Sequence, residues 1–166
     1  MSTIIILIAL IAVAAVIYLG SNKSPDFASM PASERRTNFD IEKPEGYIYY
    51  ESGLSVAGIT RRQSECKRCL KQAGERAYLY LEAEPNNAHD RNAIRIMGKG
   101  GFHLGYVDKE TAAEIAQDGI LSELLIYPKS AYITKEGNLL INYALLKPGK
   151  RFKPEQKVNH LEFPII

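Results

Sequence analysis

The chain has 166 residues and a net charge of +2, from 21 basic and 19 acidic side chains. That length holds one globular domain with a modest appendage, and so even a charge balance provides no global field marking nucleic acid or membrane as a partner. Two cysteines cannot build a disulfide scaffold, and no tryptophan or Cys/His-rich tract suggests a small metal-stapled module.

Ile4 to Leu19 is an unbroken apolar run without a charge or a proline. At 1.5 Å per residue, residues 3–20 make a helix of about 27 Å, close to the hydrocarbon thickness of a bilayer. No basic residue precedes the run, and Tyr18-Leu19 stands before Gly20-Ser21, so the marks of a cleaved signal peptide are missing. The expectation is an uncleaved single-pass transmembrane helix over 3–20, with a cleaved signal or a buried core helix as the alternatives. Lys23, Arg35, Arg36 and Lys43 all follow the span, which puts the C-terminal domain in the cytoplasm. Residues 21–46 are polar and broken by proline, and read as a flexible linker. Whether Tyr47-Ile48-Tyr49-Tyr50 is an edge strand or the end of that linker is left open by the sequence.

Beyond Gly53 the pattern changes to short alternating segments. Leu54 to Ile59, Ala77 to Ala83, Ala93 to Met97, Phe102 to Val107, Leu124 to Ile133 and Leu139 to Leu146 read as six strands. Between them, Cys66, Cys69, Leu70 and Ala73 fall at the spacing of one helical face over Ser64 to Ala73, with Gly74 as a stop. A second helix opens at Asp108 as N-cap, with Val107 and Ala112 at the staple positions, and ends at Gly119. The expected fold is mainly β with two helices (α+β): a small, OB-like, six-stranded barrel over 47–148, preceded by the transmembrane helix and followed by a basic tail over 149–166.

Three blocks stand in order in this region: Val56-Ala57-Gly58-Ile59-Thr60-Arg61-Arg62-Gln63, Leu81-Glu82-Ala83-Glu84-Pro85-Asn86-Asn87-Ala88-His89-Asp90-Arg91-Asn92-Ala93-Ile94, and Leu104-Gly105-Tyr106-Val107 with a helix after it. Together they resemble the HIRAN domain. The resemblance covers roughly Gly53 to Pro148, and its central block is far more restrictive than a lone glycine motif. It implies an oligonucleotide-binding-type barrel that captures the 3′-hydroxyl end of single-stranded DNA. On it, Asp90 matches the aspartate that accepts a hydrogen bond from the terminal 3′-OH. His89 takes the place of an aromatic residue that packs on the last bases, Lys109 matches a phosphate-binding lysine, and Tyr106 falls where a histidine stands. Thr60 and Arg61 replace an arginine followed by a tyrosine, which keeps backbone contact and alters stacking, and Arg62 follows them.

Each feature has a plainer explanation beside this one. Asn and Asp bond nearby backbone N–H groups, so Pro85 to Asn92 also reads as a capped loop with Asp90 as its cap. Arg61, Arg62, Lys67, Arg68, Lys71 and Arg76 oppose only Glu65 and Glu75, a local charge of +4 that suits phosphate or merely a solvated face. Lys147, Lys150, Arg151, Lys153 and Lys157 against Glu155 give a second +4, interleaved by Phe152, with anionic lipid as a further candidate. Cys66-Lys67-Arg68-Cys69 is a lone C-x-x-C. Helix packing, redox chemistry and metal binding are its three readings, in that order. Gly98-Lys99-Gly100-Gly101 lacks the Lys-Ser/Thr of a phosphate loop and reads as a hairpin turn.

No catalytic triad, paired-carboxylate signature or nucleotide-hydrolysis motif is present, so the expectation is a binding protein, not an enzyme, with no cofactor and no metal. Its expected partners are single-stranded DNA or other nucleic acid and, through the leader, the membrane. A separate ATPase or repair protein would supply the engine these residues lack. A protein or lipid interaction module on the same barrel is the competing reading, and a thiol redox protein the third.

Overall fold

The computed structural model describes residues 36–73, 76–152 and 160–164. The expected membrane span, most of the linker, Gly74 and part of the basic tail lie outside the described residues. Among those described, no helix is long and apolar enough to cross a membrane.

Among the described residues, eight strands and two α-helices follow in order. They are β1 (Arg36–Asn38), β2 (Tyr47–Ser55), a 3-10 turn (Ile59–Arg62), α1 (Gln63–Ala73), β3 (Arg76–Ala83), β4 (Ile94–Gly98), β5 (Phe102–Tyr106), α2 (Lys109–Asp118), a second 3-10 turn (Leu121–Glu123), β6 (Leu125–Ile133), β7 (Leu139–Pro148) and β8 (Glu162–Pro164). The strands form two antiparallel four-stranded sheets, ordered β1-β6-β7-β2 and β5-β4-β3-β8.

This corrects the expected closed or nearly closed six-stranded barrel. Closure needs a continuous ladder between the sheets, and the described residues make only a single bridge, between Ala57 and Tyr106. The strand expected over Leu54 to Ile59 ends at Ser55, because Gly58 takes a left-handed conformation (φ 72°) and turns the chain into the 3-10 segment. The tyrosine-rich segment at 47–50 belongs to β2, whose side chains are mostly exposed, so it carries little apolar alternation.

The core lies between the sheets and beneath α1. Cys66, Cys69 and Ala73 turn inward from α1 onto Leu79, Ile96 and Leu104 of the second sheet, while Tyr143 and Leu145 reach in from β7. The neighbours of these β7 residues, Ala144 and Leu146, point the other way into a smaller cluster with Tyr47, Leu125 and Tyr127. Both faces of β7 are therefore buried, which explains its almost continuous apolar sequence. Helix α2 is fixed at both ends. Asp108 accepts the Thr111 N–H at 3.0 Å, and Gly119, left-handed at φ 67°, donates its N–H to Ile115 O. At the far end of α1, Lys99 Nζ donates to Ala73 O at 3.0 Å, placing a cation against the negative end of the helix dipole.

Both thiols are free and buried, at 2% and 5% exposure. Burial pushes each up to about 11, so neither supplies a thiolate at neutral pH. A Cβ on Gly98 would stand 2.4 Å from Cys69 Sγ, which shows how closely α1 sits on the β4 turn. Replacing Cys66 and Cys69 together by Ala is expected to lower stability by roughly 1 to 3 kcal/mol, read from the urea midpoint. In the wild type both thiols should react with a disulfide reagent only as fast as the fold opens.

Candidate nucleic-acid interface

Consecutive residues are stitched to different sheets at the start of this site. Val56 donates its N–H to Ile141 O of the first sheet at 3.1 Å, and Ala57 exchanges two backbone hydrogen bonds of 2.9 Å with Tyr106 of the second. The approach requires glycine at 105, where a Cβ would lie 2.4 Å from Ala57 O and 2.5 Å from Val56 Cγ1. Ile59, 2% exposed, then anchors the 3-10 turn in the core. The outcome is that the Arg62 guanidinium lies 5.4 Å from the Tyr106 ring centre.

A chain of hydrogen bonds runs from that ring to the 84–93 loop. Tyr106 donates its hydroxyl to Glu84 Oε2 at 3.0 Å, and Asn87 Nδ2 donates to the same oxygen at 2.8 Å. Asn87 Oδ1 in turn accepts the backbone N–H groups of His89 at 2.9 Å and Asp90 at 3.1 Å. Asp90 Oδ1 accepts the Asn92 N–H at 2.9 Å, so the capping role is realised, and its second oxygen takes no hydrogen bond from a described residue. His89 is exposed.

Of the residues singled out from sequence, Arg62, His89, Asp90 and Tyr106 are joined in this way. Thr60 and Arg61 are exposed on the 3-10 turn, and Lys109 is exposed at the first position of α2. Four participants were missed: Glu84, Asn87, Arg95 and His103. Arg95 meets Glu82 at 2.8 Å and Glu84 at 3.8 Å, and His103 packs edge-on against Tyr106 at 4.6 Å. Glu84 and Asn87 stood in the quoted block, and their acceptor and amide types were the available signal. Arg95 and His103 depend on strand register and carried none.

The electrostatics follow from these contacts. The hydrogen bonds from Asn87 and then Tyr106, with Arg95 nearby, hold Glu84 below the usual carboxylate range. Burial, and then the hydrogen bond to Glu84, raises Tyr106, which stays a donor. Burial and the Arg62 charge lower His103, leaving a neutral ring near pH 7. The site thus offers a cation, flat rings and carboxylate acceptors, which are the groups that hold phosphate, bases and hydroxyls. Among the described residues, no cluster of three His, Cys, Asp or Glu side chains is placed to hold a metal ion.

The basic stretch at 61–76 is partly neutralised. Arg68 pairs with Glu65 at 3.1 Å and covers Phe102, and Arg76 meets Glu162 at 3.6 Å, while Lys67 and Lys71 are exposed. In the second cluster Phe152 packs against Tyr47 at 5.7 Å, so its ring is spent on the fold.

Residues 49–122 match the family model described as HIRAN domain. Similar solved structures include the HIRAN domain of human HLTF, 18% identical, with 66% of this chain and 84% of that chain covered and a TM-score of 0.41. A protein from Lactobacillus plantarum is 17% identical, with 61% and 99% covered and a TM-score of 0.37. No curated protein matches the chain at a significant level.

Gly105→Ala is expected to cost about 1 to 3 kcal/mol in urea or thermal unfolding, through the clash with Ala57. For acid, both shifts act in one direction. His103 and Glu84 are each lowered in the folded state, so the unfolded chain takes up protons first and stability is lost as pH falls. The loss should begin below about 6.5 for His103 and below about 4.5 for Glu84, their ordinary values. Glu84→Gln should lack the lower part of this loss in melting temperatures taken across the acid range.

Proposed function

We propose that this chain, whose residues 49–122 are a HIRAN domain, a nucleic-acid-binding module in general, takes the 3′ end of a single DNA strand at the loop bearing His89 and Asp90. The observation that carries this is the hydrogen-bonded chain from Arg62 and Tyr106 through Glu84 and Asn87 to His89 and Asp90. It gathers a cation, an aromatic ring and a carboxylate with one oxygen that no described residue bonds, on a single rim. The terminal 3′-OH would donate to Asp90, the last base would lie on His89, and Arg61, Arg62 and Lys109 would meet phosphates. The domain acts by holding a strand, not by catalysis, and the apolar leader fixes it to a membrane with the domain on the cytoplasmic side.

A second reading uses a different face. Ile48 and Tyr49 are each 46% exposed on β2, and Lys129 lies 5.3 Å from the Tyr49 ring, a combination suited to a protein or lipid surface. Salt separates the two. Strand binding should weaken steeply between 50 and 200 mM salt through counterion release, while an apolar contact barely responds.

A free 3′-hydroxyl should be preferred over a 3′-phosphate, because the added dianion removes the donor and faces a carboxylate. Asp90→Ala should cost roughly ten- to a hundredfold in affinity for the free end and little for internal strand. His89→Ala should weaken binding and leave the hydroxyl preference intact. Thermal unfolding of each variant separates these losses from damage to the loop. Equal affinity for 3′-hydroxyl, 3′-phosphate and circular strands would overturn end capture.

A further inference from the structure

The outer face of the second sheet carries a set of rings that the end-binding site does not use. Register fixes which residues share that face. Tyr106, Arg95 and Glu82 form one row across β5, β4 and β3, and His103, Met97 and Tyr80 form the next. Tyr78, two residues before Tyr80, faces the same way. Its ring lies 6.3 Å from Tyr80 and stacks on His160 at 4.0 Å, with the planes 27° apart. Rings therefore extend from Tyr106 and His103 at one edge of the sheet to Tyr78 and His160 at the other, over a covered Met97 that is 7% exposed.

We propose that this face is a base-stacking platform for single-stranded nucleic acid, continuing the strand away from its 3′ end over Tyr80 and then Tyr78 with His160. The inference rests on the end-binding reading for its direction. The chemistry favours nucleic acid over an apolar peptide. Tyr78, Tyr80, His103 and His160 are half-buried and each carries a polar edge, while the large, well-exposed hydrophobics of the described chain, Ile48, Tyr49 and Leu70, belong to β2 and α1. Arg62 stands against Tyr106 at one end, and at the other Arg76 of β3, its side chain 69% exposed, shares its charge with Glu162 at 3.6 Å. Between them Glu82 and Glu84 share the one guanidinium of Arg95, which leaves these three groups one negative charge, so the centre disfavours phosphates and leaves them to the rim. His103, lowered by burial and by Arg62, adds a ring there without a charge near pH 7.

The test uses the full chain in a non-ionic detergent and 5′-labelled thymidine oligomers from about 3 to about 12 nucleotides, all with free 3′ ends, read by anisotropy. Affinity should rise with length in the wild type. Tyr78→Ala with Tyr80→Ala should lose about tenfold or more on the longest oligomer, leave the shortest unchanged, and keep the preference for a 3′-hydroxyl. Tyr78→Phe with Tyr80→Phe should bind as wild type, since the rings remain. The salt dependence of the double alanine variant should match the wild type, because stacking releases few counterions.

The chain has ten tyrosines and no tryptophan, so its own emission gives a second reading that needs no variant. The longest oligomer should quench more than the shortest. Equal quenching, or a double alanine variant that keeps the full length dependence, overturns the platform and leaves end capture standing. Length-dependent binding that needs the two rings but ignores the 3′ group supports the platform and overturns end capture. A wild type that binds no oligomer overturns both.

Discussion

The rest of the structure depends on two successive residues being bonded to two different sheets. Val56 continues the ladder of β2 with β7, and Ala57 starts the contact with β5. Glycine at 105 permits this, and any side chain there would run into the Ala57 carbonyl. The bridge satisfies the backbone of Tyr106 at an otherwise open strand edge, which is where a sheet is most exposed to unwanted pairing. It also sets where the following turn begins, and hence where Arg62 stands. One close backbone approach thereby joins the sheets and places a cation on the ring at the end of β5.

Glu84 has a matching role on the polar side. A carboxylate that accepts from Asn87 and Tyr106 and lies near Arg95 ties a loop, an edge strand and a central strand together. Its groups are partly exposed, so each pair alone adds little to stability. Their value is positional. Asn87 spends its amide on Glu84 and its carbonyl oxygen on two N–H groups, so the loop carrying His89 and Asp90 has its shape set before any ligand arrives. The same arrangement lets Asp90 serve both readings, since it caps the loop with one oxygen while the other takes no hydrogen bond from a described residue.

Much of the fold was legible because its signals are local. The Asp108 cap, the Gly119 stop and the buried side of α1 each reside in a few adjacent residues, and the helices fall where those residues put them. Five of the six expected strands lie within two residues of their observed limits at each end. Strands β1 and β8 have three residues each, too few for alternation to show, and β2 exposes most of its side chains. Whether sheets close into a barrel is decided by edge pairing, and one bridge has no periodicity. The site divides in the same way. Asn and Asp marked the loop, and the family block marked His89, Asp90 and Tyr106. Arg95 and His103 reach Tyr106 only through a register that shifts between Ile96 and Met97, which no spacing in the sequence reveals.

The distribution of charge bears on how a strand would lie. Much of the apparent field at 61–76 is internal, since Arg68 answers Glu65 and covers Phe102, and Arg76 meets Glu162. What remains is a small number of cations around a nearly neutral, ring-bearing face, an arrangement that would hold few phosphates and offer flat surfaces to bases. A protein that relied on phosphates alone would need a denser basic surface and would lose its hold with modest salt. On the proposed reading, stacking would add contacts beside those to phosphate, whose share still weakens steeply with salt. The buried, neutral thiols of α1 fit the same division. They help to keep the helix that follows Arg62 packed on the second sheet, and so hold the cation in register with the rings.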